Sequence, residues 1–454
     1  MRIKTEIPIN VGFVKRALGI KQEAKDFTKS IRAVCTDSRK IKSGDLFIGL
    51  KGENHDGSLF ISDIKKSAQL TVGTKNSGAD ITLENPNAAL LLIAGSYKKL
   101  LPIKKTIAIT GSVGKTTTKN ILSSLLSARF KTHSTYKNLN NEFGVPFTVL
   151  AAPAKCEMLV IEAGMNHSGE LKNASFCIEP DISVITKIGS AHIGNLGSRE
   201  KIADAKCEIL SGMKNGPALI PYGETLLSSR VKEYKTVSTN DAASDYSLIN
   251  DEKSGYFVFS TPKERFLLSI PSLKHANFHV KDCLAFALSV CAEIGMTETD
   301  VKNALARVDF SEYSKIIRIK EMTIINDSYN SSPDAVISAI DALKTQRGKK
   351  SAVLGDMLEL GAFSENLHFE IGFHAAKSNL ENLYLVGNFT KYIYDGALAG
   401  GFDKNKIFIN ESSEAPEITA AQILLHSPDE VILFKASRKI KLERIIDILK
   451  KARK

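Results

Sequence analysis

The chain has 454 residues, 43% of them apolar and 24% charged, the balance of a soluble globular protein with room for about three domains. Its longest apolar run, Ala88 to Ala94, is far too short to cross a bilayer. The net charge of +11 invites a nucleic-acid partner, but its distribution argues otherwise. Nine Lys or Arg against Glu443 and Asp447 lie between Lys435 and Lys454, so this tail alone holds +7 and the other 434 residues only +4. Within it, Leu442, Ile445, Ile446 and Leu449 recur at i, i+3, i+4 and i+7, which docks one helix face on a core and leaves the charges in solvent. The opening MRIKTEIPIN is charged where a signal peptide has a continuous apolar core, so a cytoplasmic location is expected. Six cysteines without a C-x-x-C pair read as reduced, buried thiols rather than as redox or zinc groups. No nucleic-acid partner and no transmembrane segment are expected, and a monomer is expected.

In chain order, residues 1–103 form a first unit. The stretch CTDSRKIKSGDLFIGLKGENHDGSLF (35–60) places a strand over Leu46–Leu50 between Gly, Asp and Asn turns. Ser38, Arg39, His55 and Asp56 there either contact a ligand or shape the turns, and the turn reading is the simpler. A helix over Asn85–Leu101 leads to Pro102 and a basic linker. Residues 104–307 form a second unit with strands at Thr106–Thr110, Met158–Glu162, Ile182–Thr186 and Ala218–Ile220, separated by helical stretches. Residues 308–454 repeat the rhythm, with strands at Met322–Asn326, Ser351–Leu354, Leu383–Val386 and Val431–Phe434. Helices follow Pro333, Ser364, Phe389 and Glu414. Strands alternating with helices imply mostly parallel sheets covered on both faces, with ligands beyond the carboxyl ends of the strands.

The most informative stretch is TGSVGKTTTKN (110–120), after the apolar run Ile107-Ala108-Ile109. A strand, a glycine-bounded turn and a helix opened by Lys and Thr make a phosphate cradle. Gly111, Ser112, Val113 and Gly114 form the turn, Lys115 supplies a point charge, and Thr116 and Thr117 open the helix, with the Thr116 hydroxyl placed to hold Mg2+. The spacing is a short G-x-x-G-K-T rather than the common G-x-x-x-x-G-K-[ST]. Glu162 ends its strand where a carboxylate can reach a metal or orient a nucleophile. His192 lies in the Gly/Ser-rich loop TKIGSAHIGNLGS and is a candidate ligand beside such a site. Lys206, on a helix just beyond, reads on spacing alone as a solvent-facing lysine. Asn138, Asn140 and Asn141 are neutral hydrogen-bonders in TYKNLNNEFGVP, and Asp327, Tyr329, Asn330, Asp356 and Glu359 follow strand ends in the third unit. No Ser-His-Asp, H-E-x-x-H or Cys/His zinc spacing is present.

Taken together, TDSR, GDLF, TGSVGKTTTKN, KNLNNEFGVP, VIEAGMNHSGE, TKIGSAHIGNLGSREKIADAKCEI, NDSYNSSP, LGDMLELG and LFKASRKIKLE resemble the Mur ligase family over nearly the whole chain. The resemblance implies an α/β chain of three domains: a small mixed α/β N-terminal domain that binds the UDP-sugar, a central P-loop parallel-sheet ATPase domain and a C-terminal Rossmann-like domain that takes the incoming dipeptide. It implies an ATP- and Mg2+-dependent amide-forming ligase. A UDP-muramoyl tripeptide would be phosphorylated to an acyl phosphate and attacked by the amine of D-alanyl-D-alanine. Glu162 and His192 match the family's metal-site residues, and Lys206 matches a lysine carbamylated in these ligases, which reverses its solvent-facing reading. Asp327, Tyr329 and Asn330 match groups that close on the nucleotide, Ser38 and Arg39 belong to the UDP-site signature, and the Asn138, Asn140 and Asn141 segment is expected to face substrate. Asp282 stands where the family's adenine-reading Asn is expected, so either the adenine contact is changed or the correspondence lies at a neighbouring residue. Lys315 is the nearest counterpart of an expected Arg, and Ala436 occupies a usual Gly. The alternatives are a relative adding a diamino acid to the muramoyl dipeptide, a basic P-loop ATPase acting on nucleic acid, and an inert nucleotide-binding scaffold.

Overall fold

The strand Lys105–Thr110 feeds two cores at once, because successive side chains leave opposite faces of a sheet. Ile107 and Ile109 pack with Met158, Val160, Ile182 and Val184 on one face, while Ala108, Leu159, Ile161 and Ile185 pack on the other. Strands buried on both faces are near-continuously apolar, which is why these were legible in the sequence. The computed structural model describes residues 1–52, 55–251, 253–271, 273, 278–310, 316–328 and 330–453.

Among the described residues the central sheet has nine strands. From one edge they run Arg265–Leu268, Phe257–Ser260, Tyr246–Asn250, Tyr234–Ser238, Ala218–Pro221, Ile182–Ile185, Lys105–Thr110, Met158–Glu162 and Thr132–Ser134. The first two form an antiparallel extension and all the others are parallel. Helix Lys115–Ser127 buries Ile121, Leu122, Leu125 and Leu126 in the same core as helix Phe278–Glu293. The edge past Ala218–Pro221 was not anticipated. Its segments are short and half-exposed, with the alternating pattern BiBi at Phe257–Ser260, and their polar turns mask them among loops.

The N-terminal residues form a five-stranded sheet in the order Arg2–Ile3, Val34–Cys35, Asp45–Ile48, Ala68–Gly73 and Ile81–Thr82. Its helix Pro86–Lys98 buries Ala89, Leu90, Ile93, Ala94 and Tyr97 between its own sheet and the central unit. The approach is close: a Cβ on Gly95 would lie 3.1 Å from the Cys177 carbonyl oxygen. Among the described residues the C-terminal sheet has six strands in the order Ile316–Ile319, Met322–Asn326, Val431–Lys435, Lys350–Gly355, Leu383–Val386 and Ile407–Asn410, the first pair antiparallel and the others parallel. Helix Glu443–Ala452 docks through Ile445, Ile446 and Leu449, with Leu442 buried just before it, and leaves Lys450 and Lys451 in solvent, whereas Lys435 ends strand Val431–Lys435 and is buried. The six cysteines are free thiols, five buried and Cys207 half-buried. Among the described residues no helix is long and apolar enough to cross a membrane.

Helices Ser364–Ala376 and Thr390–Ala399 touch through two glycines. A Cβ on Gly372 would fall 1.9 Å from the Ile393 oxygen, and one on Gly396 would fall 1.9 Å from the Phe369 oxygen. Backbone lies on the far side of each contact, so neither can yield without moving a helix. Gly372→Ala or Gly396→Ala is expected to lower stability by about 1–3 kcal/mol, read as a drop in the urea midpoint; an unchanged midpoint in both variants would refute the close packing.

Candidate active site

The turn Gly111–Gly114 leaves its strand with two residues at positive φ, Gly111 at 141° and Gly114 at 94°. A Cβ at Gly111 would collide with Thr186 Oγ1 at 2.0 Å, so the position has no room for a side chain. Gly114 caps helix Lys115–Ser127 without a side-chain hydrogen bond, which leaves its first N–H groups available to an anion. The turn is braced from the loop after strand Ile182–Ile185. Ser112 N donates to Lys187 O (2.8 Å), Thr186 Oγ1 to Val113 O (2.5 Å), and Gly189 N to Ser112 Oγ (2.9 Å). Lys115 folds back so that Nζ donates to Gly111 O at 2.7 Å. Burial lowers its pKa, and Glu162 works against that shift.

Glu162 is the centre of the arrangement. It ends the strand Met158–Glu162 and is 1% exposed. Its Oε1 accepts from Thr116 Oγ1 at 2.9 Å and from Asn140 Nδ2 at 2.7 Å, while its backbone N donates to Thr135 Oγ1 at 2.9 Å. Its Oε2 is buried and accepts no hydrogen bond among the described residues. Lys119 Nζ lies 3.8 Å from Oε2 and donates to Thr135 O at 2.7 Å. The sequence reading missed Lys119. The available signal was a Lys on the helix face that carries Thr118, Ile121 and Leu122 inward.

These donors fit a small hard cation: a hydroxyl and a carboxylate oxygen without a hydrogen bond stand beside a phosphate cradle. Among the described residues no cluster of three or more His, Cys, Asp or Glu could hold a metal. Lys206, on helix Arg199–Cys207, is 1% exposed, which overturns its solvent-facing reading. Burial holds its pKa well below the usual lysine value, and the charge of Lys115 adds to the effect. A neutral amine is the form with a free electron pair. His192 has φ 66° and opens the turn Ile193–Leu196. Its Nδ1 lies 3.1 Å from Glu359 Oε2, a contact that holds the Glu359 carboxyl below its usual range.

The C-terminal unit meets this rim directly. Asp334 Oδ2 accepts from Ser190 N at 2.5 Å, and Gly194 N donates to Glu359 O at 3.3 Å. Lys435, with 2% of its side chain exposed, pairs with Asp327 at 2.9 Å and donates to Asn330 O at 2.7 Å. His279 lies against Gly114. Burial pushes its imidazole down to about 4, with Asp327 opposing and Lys435 and Lys187 reinforcing. Asp282 accepts from Thr239 Oγ1 at 2.5 Å. Asp356 is not turned to a ligand: it is 2% exposed and accepts from Asn388 N (2.9 Å) and Phe389 N (3.0 Å), ahead of helix Thr390–Ala399. Tyr329 and Lys315 lie outside the described residues.

Other predicted residues do not gather here through any contact of their own. Arg39, with 86% of its side chain exposed, is paired with Asp37 at 2.8 Å, and Asp37 caps the turn that contains Ser38. Asn141 Oδ1 accepts from Gly144 N at 2.8 Å, at the entry to helix Gly144–Leu150, while Asn138 is exposed. Of the three asparagines, Asn140 alone is bonded to Glu162.

The chain matches three family descriptions along its length: "Mur ligase family, catalytic domain" over residues 30–98, "Mur ligase middle domain" over 109–285, and "Mur ligase, glutamate ligase domain" over 314–438. It is 35% identical over 433 residues to the UDP-N-acetylmuramoyl-tripeptide–D-alanyl-D-alanine ligase of Bacillus subtilis (strain 168), covering 92% of each chain. It is 32% identical to the ligase of the same name from Rickettsia prowazekii (strain Madrid E), covering 90% of this chain and 93% of the other. A crystal structure of MurF from Acinetobacter baumannii superposes with a TM-score of 0.83 at 26% identity, covering 99% and 100%. The MurF ligase of Thermotoga maritima in complex with ADP gives 0.78 at 28%, covering 92% and 97%. With the phosphate turn, its buried carboxylate and a full-length match at these identities, the chain belongs to the Mur ligase family.

Proposed function

We propose that the chain joins D-alanyl-D-alanine to UDP-N-acetylmuramoyl-tripeptide at the cost of ATP, in peptidoglycan precursor synthesis. The observation that carries this reading is the convergence of Thr116 and Asn140 on Glu162 beside the phosphate turn, in a chain whose full-length relatives are named for that ligation. A carboxylate is a poor electrophile until an oxygen is phosphorylated. The tripeptide carboxylate takes the γ-phosphoryl group and ADP departs; the dipeptide amine then attacks the acyl carbon, and phosphate leaves from the tetrahedral intermediate with loss of the amine proton. Both steps concentrate negative charge, which favours preorganised donors over water.

We assign residue roles from the family resemblance, together with position where the site brings a residue in. The loop Gly111–Thr117, through the N–H groups at the start of its helix and the Lys115 ammonium, would cradle the ATP phosphates, and Thr116 with Glu162 Oε2 would hold Mg2+. His192 and Lys206 are assigned to a second metal position. When bound, Mg2+ neutralises phosphate charge and aligns the transferring group. The buried amine of Lys206 suits carbamylation: its nitrogen adds to carbon dioxide and releases a proton, turning a desolvated amine into a carboxylate-like anion. Asp282, Asp327, Tyr329 and Asn330 are assigned to the nucleotide, Ser38 and Arg39 to the UDP-sugar, and Asn138 and Asn141 with Asn140 to the edge nearest the peptide. We assign 1–103 to the UDP-sugar, 104–307 to ATP and ligation, and 308–454 to the dipeptide and closure on ATP.

Phosphate release is expected to require ATP, Mg2+, UDP-N-acetylmuramoyl-tripeptide and D-alanyl-D-alanine together. Release that persists when either peptide substrate is omitted would refute the ligation. Lys206→Ala is expected to lose about 100-fold or more in kcat and to regain part of it with short carboxylic acids; full activity without additive would exclude a carbamate at that position.

A further inference from the structure

We propose that Lys119 is a positioning residue: it ties the segment 135–141 to the phosphate-loop helix and so orients Glu162. The proposal deepens the ATP-dependent reading above and rests on it.

Lys119 sits one helical turn beyond Lys115, with 3% of its side chain exposed. The two lysines face different groups. Lys115 Nζ turns under the loop to Gly111 O, whereas Lys119 Nζ donates to Thr135 O at 2.7 Å, reaches Lys137 O at 3.5 Å and stands 3.8 Å from Glu162 Oε2. The ammonium thus gives hydrogen bonds to two backbone carbonyls, and at 3.8 Å it acts on Glu162 Oε2 through its charge and not through a hydrogen bond. The same short segment holds the carboxylate from its other end. Thr135 Oγ1 accepts from Glu162 N at 2.9 Å, and Asn140 Nδ2 donates to Glu162 Oε1 at 2.7 Å.

With Thr116 also on Oε1, both hydrogen bonds fall on one carboxylate oxygen, and the other is left without one. The plane of the carboxylate is therefore set by Asn140 and Thr116, and the place of Asn140 is set by a segment whose carbonyls Lys119 holds. A buried lysine kept only for stability would also pair with Glu162. It would not couple the metal response to Asn140.

The test compares wild type, Lys119→Met, Asn140→Ala and the double variant of the full chain. For Lys119→Met, kcat at saturating ATP and peptide substrates is expected to fall about 10- to 100-fold, with a higher Mg2+ half-saturation and a smaller change in the KM for ATP. Mg2+-dependent ADP binding by calorimetry is expected to weaken, and amide exchange over residues 136–141 to quicken. The double variant is expected to be no worse than the more damaged single, because both act through one carboxylate. Three results would overturn the proposal: a lowered thermal midpoint with wild-type kcat and Mg2+ response, multiplying effects in the double variant, or a fall in Mg2+ half-saturation, as for an ammonium that merely competes with the metal. If Lys119→Met does not fold, Lys119→Gln is scored by the same criteria. Should wild type release no phosphate with the two peptide substrates, the ligation fails, while calorimetry and exchange still decide Lys119.

Discussion

A carboxylate that is 1% exposed is costly unless its charge is met by donors or a cation, and the arrangement around Glu162 meets that demand with side chains from separate segments. Thr116 and Lys119 come from the helix after the phosphate turn, and Asn140 from the loop beyond strand Thr132–Ser134. Thr116 and Asn140 give their hydrogen bonds to one carboxylate oxygen, and Lys119 sets its charge 3.8 Å from the other. The geometry of the nucleotide end of the molecule thus hangs on one strand-end residue, and the phosphate turn is held to the same frame by Thr186, Lys187 and Gly189 from the loop after the neighbouring strand.

A second constraint is the tight seat of the C-terminal unit on that rim. Gly189 and Gly194 have no space for a Cβ, because Asp334 Oδ2 and Gly361 N would lie 2.6 and 2.7 Å away. The turn that carries Glu359 is itself fixed. His368, fully buried, receives Met357 N on Nε2 at 2.9 Å and turns Nδ1 to Ser364 O at 2.6 Å, so the ring is neutral with its proton on Nδ1. Burial lowers the pKa of His368 in keeping with that state. The contact between His192 and Glu359 therefore rests on a firmly held turn on the Glu359 side, and His279 lies against Gly114 under the influence of the charges of Asp327 and Lys435.

Much of this was legible in the residues. The strand ends at Thr110, Glu162 and Asn326 stand where the apolar runs stop, because a strand covered on both faces must be apolar along its length. The tail helix follows its i, i+3, i+4, i+7 pattern for the same kind of reason. The half-exposed antiparallel edge from Phe257 to Leu268 was not legible, since its alternating pattern is short and broken by polar turns. Asp356 looked like a ligand from its strand-end position, yet the backbone N–H groups of Asn388 and Phe389 claim it.

By itself, the sequence determined the alternation of strands and helices, the phosphate turn and the family resemblance, because local periodicity and a glycine-lysine-threonine order are written in contiguous residues. Only the tertiary structure decided that Lys206 is buried, that Lys119 and Asn140 share Glu162 with Thr116, and that Asn141 and Asp356 serve the backbone instead. The physical reason is the same in each case. Burial and hydrogen-bond partnership depend on which distant segments are brought within about 3 Å of one another, and no window of neighbouring residues contains that distance.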